Sequence, residues 1–437
     1  MRVWTCDQSE RTHFLALLTT RELALSEVPL PRVAEPSDAP LIPICQAITA
    51  SEGDWVAAVE SDLEGLFRQS AAGLAKMLDP SVPSLAILLP RLEPPSHEAR
   101  SDGAVTSFVC TAGLFLKLIG KYPGCSPTRL CFLLLKEIMG GELEVDRLFV
   151  SQLPLRDWIA AREPAPARGS TTLMMAHRGR IDHLDAALRF IALALEPPPS
   201  VRVGLDGGAI DEYVPLMERY PDCRFFHFSP APLGPYVIRH ELAQRSSEDV
   251  LAFHDSDDVS TWDRFARLSG VLQIHACDMV GSHELRVDEM RERVNALRFP
   301  LDVSAALQHR PCHSLLHATA MISREAYFRA GGLSTDQIVA NDTQFLFRAH
   351  FQLRIRNCDE FLYLRRSHEH ALTVHPSTGS RIPLRSELDR MWRADFEAIK
   401  QGARRIEDSS LWPAHRTAAY QVTALPLSPE TAQLLGP

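Results

Sequence analysis

Short apolar segments alternate with helical segments after residue 170, and this alternation constrains the fold more than any other feature of the 437-residue chain. The apolar segments predict strands over 171–176, 200–205, 223–228 and 250–254. The segments between them predict helices over 181–195, 211–220 and 235–245. Strands joined by helices in this way are typical of a mainly parallel sheet that is covered on both faces. The sequence therefore predicts an α/β domain.

A segment of small residues and prolines, Glu163-Pro-Ala-Pro-Ala-Arg-Gly-Ser170, precedes the first of these strands. Two prolines within eight residues sustain neither a helix nor a strand, so we place a linker over 163–170. It would separate an N-terminal domain (1–162) from the α/β domain (171–405), which a C-terminal tail (406–437) follows. In the N-terminal domain we predict helices over 54–78, 105–119 and 129–139 and a strand over 85–89, and we expect a mostly helical domain of unknown role.

Charge and composition exclude several classes of protein. The chain has 46 Lys and Arg against 55 Asp and Glu, a net charge of -9 without a basic run, which argues against nucleic-acid binding. Its longest uncharged stretches have 14 residues, whereas a membrane-spanning helix needs about 20 apolar residues. The first residues lack the apolar core of a secretory signal, and the nine cysteines form no CxxC pair. We therefore expect a cytoplasmic protein with free thiols and no transmembrane segment.

Three carboxylates, Asp255, Asp257 and Asp258, follow the fourth predicted strand of the α/β domain. The carboxyl ends of the strands are where ligands bind in open α/β sheets. Carboxylates this close together repel one another, and a divalent cation shared with a diphosphate would relieve the repulsion. The alternative is a solvated loop, or the N-cap of a helix that begins near Thr261.

Six segments around this cluster occur, together with it, in an order that resembles a known family. They are Ala176-His-Arg-Gly-Arg180, Leu205-Asp-Gly-Gly208, Gly234-Pro-Tyr-Val-Ile-Arg-His240, Met321 to Gly332, Asn341 to Arg348, and Arg365 to Thr373, and the cluster segment Asp255-Ser-Asp257 follows the third of them. In order and spacing, residues 171–375 resemble the family 2 glycosyltransferases with the GT-A fold. The resemblance implies a GT-A domain that uses a nucleotide-diphosphate sugar, with a mainly parallel central sheet.

The resemblance also implies roles for individual residues on the donor side. Asp255-Ser-Asp257 stands where the family has its Asp-x-Asp motif, and His368 stands where a histidine often completes the metal site. Asp257 and His368 would therefore hold a divalent metal, Mn²⁺ or Mg²⁺. The residues implied in binding the nucleotide and donor are His177, Arg178, Asp206, Arg239, Asp255 and Arg366.

On the acceptor side, Asn341-Asp342 resembles the Glu-Asp motif that supplies the catalytic base, which makes Asp342 the candidate base. A base opposite the leaving group implies inversion at the anomeric carbon. The chain departs from the family at Leu205 and Asn341, where acidic residues are customary. Should Asp342 not be the base, His317 and Asp336 are the next candidates.

Each of these residues also has a purely structural interpretation. Asp206 and Asp342 could cap helices, and Arg239 could be a solvated helix residue. His368 could lie in an exposed loop, and the paired glycines at 331–332 could end a helix.

The sequence thus predicts a metal-dependent inverting glycosyltransferase of the hexosyltransferase class. We expect a nucleotide-sugar donor, with a UDP-sugar favoured, and a glycan, lipid-linked, peptide or small-molecule acceptor. Two alternatives remain at this point. One is a catalytically silent module that binds sugar or protein on the same fold. The other is a nucleotidyltransferase that makes sugar nucleotides, which usually has a more glycine-rich loop than Ala176 to Arg180.

Overall fold

The computed structural model describes residues 2–8, 11–18, 54–123, 125–155, 170–195, 200–379, 382–416 and 419–425. These residues form two sheets. The first is built from the N-terminal part of the chain, and the second begins at residue 171. Apart from Ser170, the predicted linker over 163–170 lies outside the described residues.

The N-terminal sheet has six strands in the order β1-β2-β3-β6-β4-β7. Neighbouring strands are antiparallel except β4 and β7, which are parallel. The strands of this part of the chain are β1 (Arg2–Gln8), β2 (Arg11–Leu18), β3 (Trp55–Glu60), β4 (Ser84–Pro90), β5 (Arg100–Ala104), β6 (Ser107–Thr111) and β7 (Arg147–Leu153). Strand β5 is not part of this sheet and instead pairs with residues 295–298, which belong to the second sheet.

Three helices accompany the N-terminal sheet, namely α1 (Glu64–Met77), α2 (Ala112–Lys121) and α3 (Pro127–Met139). The prediction of a mostly helical domain accounts for these helices and for strand β4, but it misses the rest of the sheet. Strands β3 and β6 are short apolar runs that lead directly into the helical segments. Periodicity alone does not separate such a buried strand from the start of a buried helix.

The second sheet has the order β12-β16-β13-β15-β11-β8-β9-β10-β17, and β14 pairs with β13 beside it. Strands β8 to β11 are parallel to one another, as are β13 and β16, while the short β15 runs antiparallel between β11 and β13. The four predicted strands are present and parallel to one another, which confirms the prediction of an α/β domain with a mainly parallel central sheet. The strands are β8 (Thr171–His177), β9 (Ser200–Asp206), β10 (Cys223–Ser229), β11 (Val250–Asp255), β12 (Val259–Ser260), β13 (Met279–Asp288), β14 (Arg293–Arg298), β15 (Met321–Ser323), β16 (Ile355–Ser367) and β17 (Gln421–Ala424).

Eight helices of the described residues accompany the second sheet. They are α4 (Ile181–Ala192), α5 (Val214–Arg219), α6 (Pro235–Gln244), α7 (Arg264–Ile274), α8 (Val303–His309), α9 (Arg324–Arg329), α10 (Asn341–Ala349) and α11 (Pro383–Lys400). The helix predicted over 211–220 begins as a 3₁₀ turn at Ile210–Tyr213 and continues as α5. No helix among the described ranges is long and apolar enough to cross a lipid bilayer.

The two sheets share an apolar core. Phe115 of α2 and Leu134 of α3 belong to the same buried cluster as Leu285 of β13 and Phe361 of β16. The N-terminal part of the chain therefore covers one face of the second sheet. At the other end of the chain, Leu411 is fully buried in the core beneath α6 and α11, so packing continues past the boundary predicted at residue 405.

Helix α6 packs very closely on strand β9. A side chain at Gly204 would place its Cβ 2.2 Å from Ile238 of α6, so only glycine permits this approach. The helix begins after Gly234, whose φ of 90° lies in the region that favours glycine. The sequence around these two glycines thus fixes the position of α6, which contributes two side chains to the site described below.

Five buried histidines should make the fold sensitive to acid. Burial lowers the pKa of each well below the ordinary value of 6.5. The pKa falls to about 4 for His177, His183 and His240. It falls to about 3 for His254 and His317. As the pH falls below about 6.5, these histidines become protonated in the unfolded chain but stay neutral in the folded chain. Stability is therefore lost as the pH falls from 6.5 to about 4 for three of these histidines and to about 3 for the other two, by up to about 1.4 kcal/mol per pH unit for each.

We expect urea unfolding to show a lower free energy of unfolding at pH 5 than at pH 7. His240→Gln should reduce the difference between the two pH values, whereas His275→Gln, at an exposed position, should leave it as it is. Equal stability at pH 5 and pH 7 would contradict the prediction.

Candidate active site

Three parallel strands end at the same edge of the second sheet and bring predicted site residues together. Strand β8 ends at His177, β9 ends at Asp206, and β11 ends at Asp255. The turn after β11 adds Asp257 and Asp258. Because this is the carboxyl edge of an open α/β sheet, it is the expected position of a ligand site.

The three carboxylates after β11 lie close together, with one oxygen from each within 4.8 Å of the others. Asp258 is buried, while the side chains of Asp255 and Asp257 are about one-third exposed. Each has a specific partner. Arg239 forms an ion pair with Asp255, His368 Nε2 lies 3.0 Å from Asp257 Oδ2, and the backbone N–H of Arg366 donates to Asp258 Oδ1 at 2.7 Å.

These partners give the carboxylates different proton affinities. Burial tends to raise the pKa of Asp257, but the hydrogen bond with His368 and the charge of Arg366 hold it below the ordinary value. Burial and then the charges of Asp257 and Asp255 raise the pKa of Asp258 well above that value. A cation between the three would remove the repulsion that raises the pKa of Asp258.

The residues of this cluster suit a hard divalent cation. Carboxylate oxygens are the ligands that Mg²⁺ and Mn²⁺ prefer, and His368 adds an imidazole beside Asp257. His368 is 14% exposed and hydrogen-bonded, so it is not a free loop residue. His177 is buried, with Nδ1 2.9 Å from Ser256 Oγ, and its Nε2 has no partner among the described residues. A buried ring nitrogen without a hydrogen-bond partner next to the cluster is available to a ligand.

Arg366 braces the turn that carries the carboxylates. Its side chain is 4% exposed, and its Nε donates to the carbonyl oxygen of Asp257 at 3.1 Å. Its Nη1 contacts His183 Nε2 at 2.8 Å and Glu289 Oε1 at 3.2 Å. Arg366 thus lies inside the fold below the carboxylates. Arg178, by contrast, is exposed on the loop that follows β8.

Asp206 holds the start of helix α6. Its Oδ1 accepts the backbone N–H of Leu233 at 2.7 Å, and its Oδ2 accepts that of Gly234 at 3.0 Å. It is buried and does not cap the helix that follows it in sequence, which was the structural alternative. Both oxygens are already engaged, so the first role that the geometry gives Asp206 is to fix α6.

Helix α6 connects the carboxylate cluster to Asp342. The hydroxyl of Tyr236 donates to Asp342 Oδ1 at 3.0 Å, and Arg239, three residues later, pairs with Asp255. Residues three apart share one face of a helix, so a single turn of α6 touches both groups. Arg239 is buried and is not a solvated helix residue.

Asp342 lies in the first turn of α10 but does not cap it. The cap position is Ala340, which has φ 61° and makes no side-chain hydrogen bond. A left-handed conformation at a residue other than glycine stores strain, and such strain is frequent at functional sites. Burial raises the pKa of Asp342, but the positive charge that His317 and His313 carry when protonated and the hydrogen bond from the Tyr236 hydroxyl lower it more. The pKa therefore lies below its ordinary value, and the carboxyl is ionised at neutral pH.

The other two candidate bases are less well placed. Burial lowers the pKa of His317 to about 3, which leaves it neutral but weakly basic. Asp336 is exposed and accepts a hydrogen bond from Gln337 next to it. Asn341, which departs from the family pattern, is fully buried, and its Nδ2 donates to the carbonyl oxygens of Ser334 and Gln337. Asn341 therefore orients the start of α10.

Sequence reasoning missed two tyrosines that complete the site. Tyr236 could have been found from its spacing of three residues to Arg239 on a predicted helix. Tyr363, whose hydroxyl accepts the backbone N–H of Asp255 at 3.0 Å, left no comparable signal, because β16 was not predicted. The paired glycines at 331–332 end helix α9, as their structural interpretation predicts.

No protein-family model matches the chain, and no curated protein matches it. Among solved structures it is similar to S. aureus TarS (TM-score 0.39, 14% identity), over 46% of this chain but only 37% of that one. The structure of TarS 1–349 in complex with UDP-GlcNAc overlaps with a TM-score of 0.42 at 14% identity, over 55% of this chain and 67% of that one.

Two further solved structures are similar. The mannosyltransferase PcManGT from Pyrobaculum calidifontis, in complex with GDP-Man and Mn²⁺, has a TM-score of 0.39 and 15% identity over 57% of this chain and 71% of that one. GalNAc-T7 with UDP, GalNAc and Mn²⁺ has a TM-score of 0.39 and 10% identity over 53% and 49%. With TM-scores below 0.5, these overlaps carry no argument about the chemistry of this chain.

Asp206→Ala should destabilise the protein, because it leaves two backbone N–H groups at the start of α6 without acceptors. We expect a loss of about 1–3 kcal/mol in the free energy of unfolding, measured in urea. Asp211→Ala, at an exposed position on the turn that follows, is the matched control and should change little. Unchanged stability of the Asp206 variant would show that these hydrogen bonds do not hold the helix.

Asp257→Asn should remove Mn²⁺ binding while leaving the fold intact, because the side chain is partly exposed and faces the cluster. Isothermal titration calorimetry with MnCl₂ measures the binding, and thermal unfolding checks the fold. Asp182→Asn, on the exposed start of α4, controls for the loss of one negative charge. Wild-type Mn²⁺ affinity in the Asp257 variant would sink the metal assignment.

Proposed function

We propose that the chain is a metal-dependent glycosyltransferase that transfers a sugar from a nucleotide-diphosphate donor to an acceptor hydroxyl with inversion. The observation that carries this proposal is the double contact of α6, which joins Asp255 of the carboxylate cluster to Asp342 through Arg239 and Tyr236. A cation site and an ionised carboxylate are thereby held at a fixed separation by one rigid helix. Displacement at a sugar carbon needs these two groups on opposite sides of the reacting bond.

The metal site in this proposal consists of Asp257 and His368, with Asp255 and Asp258 beside them. A bound Mn²⁺ or Mg²⁺ would neutralise the charge that develops on the leaving diphosphate. The chain's own part is to hold the ligands in place. Arg366 does so from below, through the carbonyl oxygen of Asp257 and the side chain of His183.

For the donor we propose a nucleotide sugar, with a UDP-sugar favoured, bound along the edge formed by β8, β9 and β11. His177 offers its unpaired Nε2, and Arg178 is exposed on the same loop. Within the described part of the chain, Nε of Arg239 and Nη2 of Arg366 are buried and have no hydrogen-bond partner, and a diphosphate oxygen would supply one. Asp206 contributes by fixing the loop before α6, as well as through any contact with the nucleotide.

Asp342 is the proposed general base. Its carboxylate is ionised at neutral pH, and the hydroxyl of Tyr236 fixes one of its oxygens. The second oxygen can accept the proton of an acceptor hydroxyl while the oxygen of that hydroxyl attacks the anomeric carbon. General-base catalysis of this kind accelerates a reaction by about 10²–10⁴-fold. The proposed acceptor is a glycan, a lipid-linked group, a peptide or a small molecule. We further propose a cytoplasmic location, in keeping with the free thiols of buried Cys110, Cys131 and Cys358.

Asp342→Asn should abolish transfer while leaving the affinities for Mn²⁺ and for the donor nearly unchanged. The amide keeps the size of the carboxylate and can still accept the Tyr236 hydrogen bond, but it cannot take up the proton. Donor binding is measured by calorimetry with UDP-sugars and GDP-sugars, and transfer by mass spectrometry of the products. Asp336→Asn, at an exposed position on the loop that precedes α10, is the control and should keep its activity.

Near-normal transfer by the Asp342 variant would contradict the assignment of the base. Donor binding without transfer or donor hydrolysis by the wild-type chain, over a panel of acceptors, would instead favour a silent binding module.

A further inference from the structure

The register between strands β16 and β13 shifts at two consecutive positions, on either side of His283. Ser282 lies opposite Cys358, but the next residue, His283, lies opposite Phe361, and Glu284 lies opposite Tyr363. Strand β16 thus has three residues more than β13 across this irregularity. We call residues 358–362 of β16 the bulge.

The bulge decides which side chains of β16 reach the site. Successive side chains of a strand point to opposite faces, so an odd number of extra residues reverses every position that follows. In the structure Tyr363 points towards Asp255, whereas Arg366, on the opposite face, lies below Asp257. A shift of one residue would exchange these faces and would move His368, which follows directly, away from Asp257.

Asp359 in the bulge is held from three directions. Its Oδ2 accepts a hydrogen bond from Arg91 Nη1 at 3.3 Å, and its carbonyl oxygen accepts one from Gln152 Nε2 at 2.6 Å. Its Oδ1 lies 3.3 Å from Nε2 of His283 on the paired strand. Arg91 directly follows β4, and Gln152 lies in β7, so two of the three contacts come from the N-terminal part of the chain.

Arg298 of β14 ties these contacts together. It is fully buried, donates to Oε1 of Gln152 and to the carbonyl oxygen of Pro90, and forms an ion pair with Asp102 of β5. Gln152 is 1% exposed. Its amide nitrogen donates to the carbonyl oxygen of Asp359, and its amide oxygen accepts from Arg298. A buried amide that is paired at both its nitrogen and its oxygen favours a single arrangement of its neighbours, because any other arrangement leaves it unpaired.

We infer that the N-terminal part of the chain is a positioning element for the site: through Gln152 and Arg91 it fixes the bulge and so the register of Tyr363, Arg366 and His368. Among the described residues, the Gln152 side chain hydrogen-bonds to Asp359 and Arg298 and to none of the three carboxylates, so its influence on the site passes through the bulge. The part of this inference that concerns metal binding rests on the proposed function. The part that concerns the register of β16 does not.

Gln152→Leu tests the inference, because leucine has a similar volume but removes both hydrogen bonds. We expect faster hydrogen–deuterium exchange in peptides covering 361–367, with the first sheet and strands β8 and β9 protected as before. We also expect a loss of about tenfold in Mn²⁺ affinity by calorimetry, the usual size of an effect transmitted through groups that orient metal ligands.

Ser151→Ala is the matched control. Ser151 is the preceding residue of β7 and is also buried, and the one hydrogen bond of its hydroxyl among the described residues goes to the sulfur of Met77, at 4.0 Å, within the N-terminal part. Both measurements should be unchanged in this variant. If Gln152→Leu does not fold, Arg91→Gln, which loses one partly exposed contact, should give smaller changes of the same kind.

Wild-type exchange over 361–367 in a folded Gln152→Leu protein would overturn the inference. Exchange that accelerates equally throughout the chain would also overturn it, since that is the result of a merely structural role. If the wild-type chain binds no Mn²⁺, the metal part of the proposed function fails separately, and the exchange experiment alone then decides whether the N-terminal part sets the register.

Discussion

The mutual repulsion of three carboxylates at the end of β11 is the constraint on which this part of the molecule depends. Asp255, Asp257 and Asp258 lie within 4.8 Å of one another, and such a cluster is costly unless positive charge or N–H groups face it. Each carboxylate receives its own partner from a different element: α6, the segment after β16, and the backbone of β16. The surrounding fold is therefore arranged around a concentration of negative charge that a cation would complete.

Four strands of the second sheet, β8 to β11, could be predicted because their signals are local. Strands β8 to β11 are short apolar runs between helices, and Asp206 and Asp255 mark where two of them end. The contacts within the site could not be predicted from the sequence in this way. That Asp206 would hold the start of α6, and that Arg366 would lie below Asp257, depends on which loops meet across the sheet. No spacing along the chain encodes such a meeting.

The N-terminal sheet shows a different limit. Strands β3 and β6 are buried on both faces and run directly into helices, so their residues show neither alternation nor a break in composition. The bulge in β16 was equally invisible, since an irregular register is a property of two strands and a sequence presents them one at a time. Residue chemistry at strand ends, together with the order of the motifs, nominated Asp257, His368 and Asp342 as candidates, but neither signal pointed to Tyr236 or Gln152.

The last described strand has a consequence for the handling of this protein. Strand β17 lies antiparallel along β10, with Phe226 opposite Ala424 and Ser229 opposite Gln421, and it covers what would otherwise be the open edge of the sheet. An uncovered edge strand offers unpaired N–H and C=O groups to any other extended chain. A recombinant fragment trimmed at residue 405 would expose β10 in this way and would be prone to self-association, although every residue of the candidate site would still be present.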